Sequence, residues 1–261
     1  MNIIVCVKQV PDTESFIKVK DNKVQTEELN FVINPFDEYA IEESLKLKEK
    51  FGGKVTVVSM GPDRVSKALR SCLALGVDEA YHLKDESFEN SDPLGTAHIL
   101  SKACQKLEYD IIFFGKQGVD DDFGQTGIFT AELLDLPHVS VITKLEVAED
   151  GKSAKAHHET DAGVEIVETS LPAVFTAQKG LNEPRYASMK GIIKAKKKPI
   201  NVLTASDLGT DTSTIGASSR KVNYKTIEKP PERQAGRILE GEPADVVKEL
   251  VNLLKEEAKV L

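Results

Sequence analysis

The chain has 261 residues, 34 basic against 42 acidic side chains, a net charge of -8, no tryptophan and 6% aromatics. That length allows one large α/β domain with an appendage, or two small domains, around a sizeable core. The acidic balance and the scarcity of aromatic rings exclude general nucleic-acid affinity and a base-stacking platform. Cys6, Cys72 and Cys104 are scattered and odd in number, which excludes a disulfide framework. With no leader pattern at the N-terminus and no apolar stretch near the ~20 residues that span a bilayer, the sequence places the chain in the cytoplasm.

Residues 3–7 form a continuous apolar run, which predicts a strand covered on both faces and stopped by Pro11. A short ribbon around Asp21-Asn22 follows. Asn34-Pro35 then opens a helix whose apolar positions Ala40, Ile41, Leu45 and Leu47 keep helical spacing until Gly52-Gly53. Residues 54–60 read as the next buried strand, and 65–75 as a helix closed by Gly76. A short strand at 80–83 and a helix near 93–107 lead to a strand at 110–114, a glycine-punctuated loop and another helix. Strands alternating with helices predict an open α/β fold: a doubly wound, mostly parallel, Rossmann-like sheet wrapped in helices.

After Leu136-Pro137 the pattern alternates apolar with polar over 139–147, 153–158 and 163–169, with turn signals between, which predicts an antiparallel ribbon excursion. A buried strand at 171–177 precedes a lysine-rich helix ended by Pro199. Residues 200–243 carry little periodicity and read as a linker, an arm or a disordered stretch. Val246, Val247, Leu250, Val251, Leu253 and Leu254 then make an amphipathic terminal helix. The expected division is a domain at 1–199 and an extended arm at 200–261.

The loop after the fourth strand is the first functional candidate. The first N–H groups of a helix lack internal partners and carry the positive end of the macrodipole, so they accept an anion where no side chain obstructs the approach. Gly115, Gly118, Gly124 and Gly127 are the residues expected to clear that approach. Neither G-x-x-x-x-G-K-[ST] nor G-x-G-x-x-G occurs, so an ordinary P-loop hydrolase and a simple NAD-binding half are both unsupported. Asp120, Asp121 and Asp122 invite a Mg²⁺ reading, but no Lys or Ser/Thr completes a phosphoryl-transfer apparatus. The five histidines lack metal-ligand spacing, and no Ser or Cys sits in a recognisable nucleophile motif. Asn34, as a helix cap, and Gly61-Pro62 reach the same sheet edge, where a doubly wound sheet places its ligands.

Four ordered blocks carry a resemblance across the whole chain. They are Val7-Lys8-Gln9-Val10-Pro11-Asp12, Asn34-Pro35-Phe36-Asp37-Glu38, Gly115-Lys116-Gln117 with the 120–127 segment, and residues 181–189 running into the lysines of 194–198. Together they resemble the small (beta) subunit of electron transfer flavoproteins. The resemblance implies a heterodimer in which the alpha subunit holds most of the redox FAD and beta holds a structural AMP. Electrons would pass from acyl-CoA dehydrogenase-type flavoenzymes to a membrane quinone oxidoreductase, as in fatty acid beta-oxidation, and this chain alone would be a carrier subunit and not an enzyme.

By the same resemblance the AMP pocket would involve Cys6, Asn34, Pro35, Phe36, Asp37 and Met60. It would continue through Asp120, Asp121, Asp122, Phe123, Gly124, Gln125, Thr126, Gly127, Ile128, Phe129, Thr130 and Ala131, with Gln125, Thr126 and Gly127 at the phosphate. The partner-recognition loop would fall on Tyr186, Ala187, Ser188 and Met189 and the helix carrying Lys194, with Met189 as the apolar anchor. Phe16 or Thr13 would face the flavin, and 200–261 would lie against the alpha subunit. Electron-bifurcating relatives, which hold a second FAD in the beta site, tend to read Asp-Gly-Asp-Thr-Ala-Gln-Val-Gly where this chain has its own 120–127 wording. The resemblance therefore favours the AMP-binding kind. A stand-alone ATP-binding signalling or hydrolysing protein of similar architecture is the rival reading, and a nucleic-acid module using the lysine run is the weaker one.

Overall fold

A computed structural model describes residues 1–231 and 235–261. The first strand, β1 (Asn2–Cys6), is buried along most of its length and lies well inside the sheet, as its unbroken apolar run requires. Short pairs follow: β2 (Gln9–Pro11) with β5 (Phe31–Ile33), and β3 (Val19–Lys20) with β4 (Lys23–Val24), whose turn places Asp21 and Asn22 at positive φ. Helix α1 (Pro35–Phe51) has proline in its first turn and closes at Gly52, with Asp37 and Glu38 at its positive end and Lys48 and Lys50 at its negative end.

The alternation then runs β6 (Lys54–Met60), α2 (Val65–Leu75), β7 (Glu79–Leu83), α3 (Pro93–Cys104), β8 (Ile111–Gly115) and α4 (Thr126–Leu133). Strands β9 (His138–Val147), β10 (Ser153–Thr160) and β11 (Gly163–Ser170) form the antiparallel ribbons, and β12 (Ala173–Ala177) returns to the core. Helix α5 (Met189–Lys197), β13 (Asn201–Leu203), α6 (Ala205–Leu208), α7 (Gly216–Ser219) and α8 (Pro243–Asn252) complete the chain, the last running into a π-turn at Leu253–Glu257.

The nine-stranded sheet has the order β11-β10-β9-β12-β8-β1-β6-β7-β13. From β1 the chain steps one way through β6 and β7, then crosses to β8 and β12 on the other side, so the winding reverses between β1 and β8. All pairs from β9 to β13 are parallel. The antiparallel ribbon is joined to the main sheet: β9 pairs parallel with β12, and the β9–β10 and β10–β11 pairs beyond it are antiparallel.

One apolar layer packs α1, α2 and α5 on one face of this sheet, centred on Phe113 and Phe175, whose ring centroids lie 5.8 Å apart. A second layer, with Ile99, Leu100, Phe88 and Ala131, covers the other face.

Paired and buried structure continues past the expected division at 199/200. Strand β13 pairs with β7, and Leu208 and Ile215 are buried in the second layer. These residues were unreadable as a sheet component because β13 is three residues long and pairs with a strand more than a hundred positions away. No residue of α8 is buried, and Val247, Leu250 and Val251 are exposed.

Candidate functional site

The carboxyl ends of β1 and β8 diverge at the point where the winding reverses, and a crevice opens there, the position in which open α/β sheets hold ligands. Its cavity is about 270 Å³, with Cys6, Val7 and Lys8 at the carboxyl end of β1 on one side and residues 114–118 at the carboxyl end of β8 on the other. Met60 from β6, Thr96 and Leu100 from α3, and the loop from Phe123 to Gly127 extend the wall.

Helix α4 begins at the edge of this crevice without a side-chain cap, and within the described residues no backbone acceptor meets the amides of Thr126, Gly127 and Ile128. Orphan donors opening onto a polar crevice make an anion-accepting cradle. The chain builds the cradle's rigidity from Asn34. Its amide donates to the carbonyl of Gln117 (2.9 Å) and to Asp37 Oδ1 (3.0 Å), while its own oxygen accepts from the Val119 amide (3.2 Å). Asn34 sits at the N-cap of α1 but makes no cap bond. Its side chain is used to lock the 117–119 loop against the helix.

Asp37 lies beneath, fully enclosed. Its carboxylate accepts from the amides of Lys8 (2.6 Å) and Gly115 (3.0 Å) and from Asn34, so one side chain ties β1, β8 and α1 together. Burial pushes its pKa up to about 7, against the opposing pull of those three donors. The native state therefore binds this proton more tightly than the unfolded chain, where the value is 3.8. Stability contributed by the group is present below about pH 4 and declines as pH rises towards 7. Between pH 5 and 7.5 the wild type is expected to lose about 2 kcal/mol relative to Asp37→Asn. Urea unfolding of both proteins at the two pH values checks this, and parallel behaviour of the pair would refute it.

The three acidic residues of the loop are used by the protein's own donors. Lys8 Nζ lies 2.7 Å from Asp120 and 2.8 Å from Asp121, and Asp122 accepts from Gln117 Nε2 at 2.7 Å. Burial alone would lower the Lys8 pKa, and the two carboxylates more than offset it. Cys6 reaches the crevice wall but is no nucleophile, since burial and the neighbouring Cys104 thiol push its pKa up.

Of the residues singled out from the sequence, Cys6, Asn34, Asp37, Met60, Asp121, Phe123, Gly124, Gln125, Thr126 and Gly127 meet around this one crevice. Pro35, Phe36, Asp120, Asp122, Ile128 and Phe129 stand beside it without lining it; Phe36 instead packs under Lys116. Thr130 and Ala131 are fully buried on the sheet side of α4, where the Thr130 hydroxyl donates to the carbonyl of Thr126.

Two glycines also have a different cause from the one expected. A Cβ on Gly115 would come within 2.8 Å of the backbone of Phe36 and Asp37, and one on Gly127 would sit 3.1 Å from Phe114 and Thr176. Both make room for packing within the protein, and both also line the crevice.

The crevice also takes in Ser91, Asp92 and Thr96 around the start of α3, together with Arg220 and Tyr224, none of which stands out in the sequence as a site residue. The Asp92-Pro93 pair is a readable cap signal for a helix starting at the same sheet edge. Arg220 and Tyr224 carry no such signal.

On the opposite side of α1, the 182–189 segment is pinned to the body. Asn182 donates to the carbonyl of Tyr39 (2.9 Å) and to Glu43, and Arg185 forks onto Glu42 (2.7 Å) and Glu49 (2.6 Å). Those two carboxylates hold the Arg185 pKa above its ordinary value. Ser188 caps α5 through the Gly191 amide at 3.0 Å, and Ala187 packs on the core. Tyr186 and Met189 are left standing out, 97% and 74% exposed, with Lys194 on the exposed face of α5. Phe16 is exposed as well, with Lys229 Nζ 4.5 Å from its ring centroid. No helix among the described residues is long and apolar enough to cross a membrane.

The mostly parallel nine-stranded sheet and the crevice at its winding reversal define an open-sheet α/β protein with a polar cleft at the carboxyl edge. Residues 21–208 match the electron transfer flavoprotein domain. Similarity extends over full-length curated relatives. The electron transfer flavoprotein subunit beta of Bacillus subtilis is 42% identical, covering 100% of both chains. That of Thermoanaerobacterium thermosaccharolyticum is 42% identical over 97% of this chain and 98% of its own. The Homo sapiens subunit beta is 37% identical over 100% and 99%. The chain belongs to the electron transfer flavoprotein beta subunit family.

Proposed function

We propose that the chain is the beta half of a non-bifurcating, heterodimeric electron carrier, holding AMP as a permanent structural element while an alpha subunit holds the redox FAD. The observation that carries this reading is the uncapped start of α4 at the crevice of the winding reversal. The amides at 126–128 suit a phosphate, with Gln125 and Thr126 beside it, and Cys6 and Met60 supply the less polar wall for a base. The crevice is braced by Asn34 and Asp37 and offers no free base or activated nucleophile, which suits retention of a nucleotide better than its turnover. The bound flavin supplies one- and two-electron redox chemistry; this chain's part is to present a rigid wall and a docking element.

That element is the segment of Tyr186 and Met189. An exposed apolar anchor beside lysines suits a hydrophobic pocket on an acidic flavoenzyme of the acyl-CoA dehydrogenase type, with the charges steering the encounter. A membrane quinone oxidoreductase is the acceptor in this scheme.

Co-expression with its cognate alpha subunit is expected to give a heterodimer with one flavin, whereas the chain alone carries none. In the heterodimer, Met189→Ala is expected to slow electron uptake from a dehydrogenase about tenfold or more. Its unfolding free energy stays within about 0.5 kcal/mol of wild type, since the side chain is exposed. A monomer that hydrolyses ATP, or a Met189→Ala heterodimer with unchanged transfer rates, would contradict the proposal.

A further inference from the structure

The crevice has a wall that comes from far along the chain. From the first residue of α7 onward the backbone is fastened to the segment that opens α3. The Gly216 amide donates to Ser91 Oγ (2.8 Å), and the amides of Lys221 (2.6 Å) and Val222 (3.2 Å) donate to Asp92 Oδ2. Burial works against the Asp92 carboxylate, but these amides and that of Gly95 hold its pKa below the usual range. The chain then passes in front of the cavity. Tyr224 packs on Phe123 of the α4-entry loop, with ring centroids 6.3 Å apart, and the Arg220 guanidinium lies 5.8 Å from the Tyr224 ring. Further on, the Ile227 amide donates to Asn22 Oδ1 (2.5 Å), and Asn22 Nδ2 donates to the Lys225 carbonyl, which fastens the strap's far end to the β3–β4 turn.

Arg220 is also one of two cations at the crevice without an ion pair among the described residues, Lys116 being the other. Lys8 is engaged by Asp120 and Asp121, and Lys116 lies over Phe36. Arg220 donates through Nε to the Val222 carbonyl (3.2 Å) and forms no ion pair among the described residues, so its two terminal nitrogens retain their donors beside the cavity. A guanidinium with free N–H groups is the side chain best shaped to take a phosphate bidentately.

We infer that Arg220 and Tyr224 complete the nucleotide site. Arg220 is the charged ligand of the phosphate, and Tyr224 closes the exit by packing on Phe123. The inference rests on the proposed nucleotide function and extends it: the arm that leads to α8 also governs how fast nucleotide leaves.

The test is exchange of labelled AMP into the intact heterodimer. Arg220→Gln and Tyr224→Ala are each expected to exchange at least tenfold faster than wild type, with flavin content and heterodimer assembly unchanged. Arg220→Lys is expected to fall between, because it keeps the charge and loses the fork. In competition, Arg220→Gln should displace bound AMP with adenosine more readily than wild type, whereas Tyr224→Ala should leave the preference for AMP over adenosine in place. Wild-type exchange rates in both variants, with AMP present in the wild type, would overturn this inference alone. A wild-type heterodimer without AMP would instead overturn the function on which it rests.

Discussion

Replacing Gly115 with alanine is expected to destabilise the chain by about 3 kcal/mol, lowering the thermal midpoint by roughly 5–10 °C. The added methyl has nowhere to go. It would press on the backbone of Phe36 and Asp37 within 2.8 Å, at the point where the Asp37 carboxylate accepts the Gly115 amide. Because backbone on both sides is already tied by Asp37 to β1 and α1, relief requires moving the Asn34 clamp, and with it the 117–119 loop. The variant should therefore lose bound nucleotide together with stability. Thermal scans and nucleotide content measured on one preparation check both effects. A midpoint equal to wild type would show that the β8–α1 junction is looser than the structure requires.

Lys8→Gln is expected to weaken AMP retention by about 10- to 100-fold while leaving the fold in place. Lys8 is the cation between β1 and the acidic loop, and Asp120 and Asp121 are only partly exposed, at 29% and 26%. Without the ammonium, two carboxylates beside the crevice face an incoming phosphate uncompensated, and partial burial strengthens the repulsion relative to water. Salt separates this mechanism from a loss of packing. The defect should shrink at high ionic strength, because screening acts on the repulsion and not on a lost contact. Exchange of labelled AMP at low and high salt reads the difference, and a salt-independent defect would point away from charge.

Much of this fold is written in local pattern. The apolar runs that become β1, β6 and β8, and the Pro and Gly punctuation around α1 and α2, were sufficient to derive the parallel alternation, because a strand buried on both faces has no room for polar residues. The helix start after β8 was legible for the same reason. What failed was whatever depended on distant partners. Strand β13 is half-exposed and owes its existence to β7, and Arg220 and Tyr224 reach the crevice only because Asp92 captures the amides beyond α7.

Residue type misled in one respect. Glycines spaced along a loop suggest clearance for a ligand, yet Gly115 and Gly127 clear space for Asp37 and Phe114. Asn34 likewise reads as a cap and acts as a clamp. The four motif blocks carried the family because they mark junctions between elements, where local pattern and long-range contact coincide.

On the proposed function, the orphan amides at the start of α4 hold an adenylate as permanent scaffolding. Denaturing the purified heterodimer and separating its released nucleotides by chromatography tests this most directly. One AMP and one FAD per heterodimer is the predicted result. Two FAD and no AMP, or no nucleotide beyond a single flavin, would contradict it.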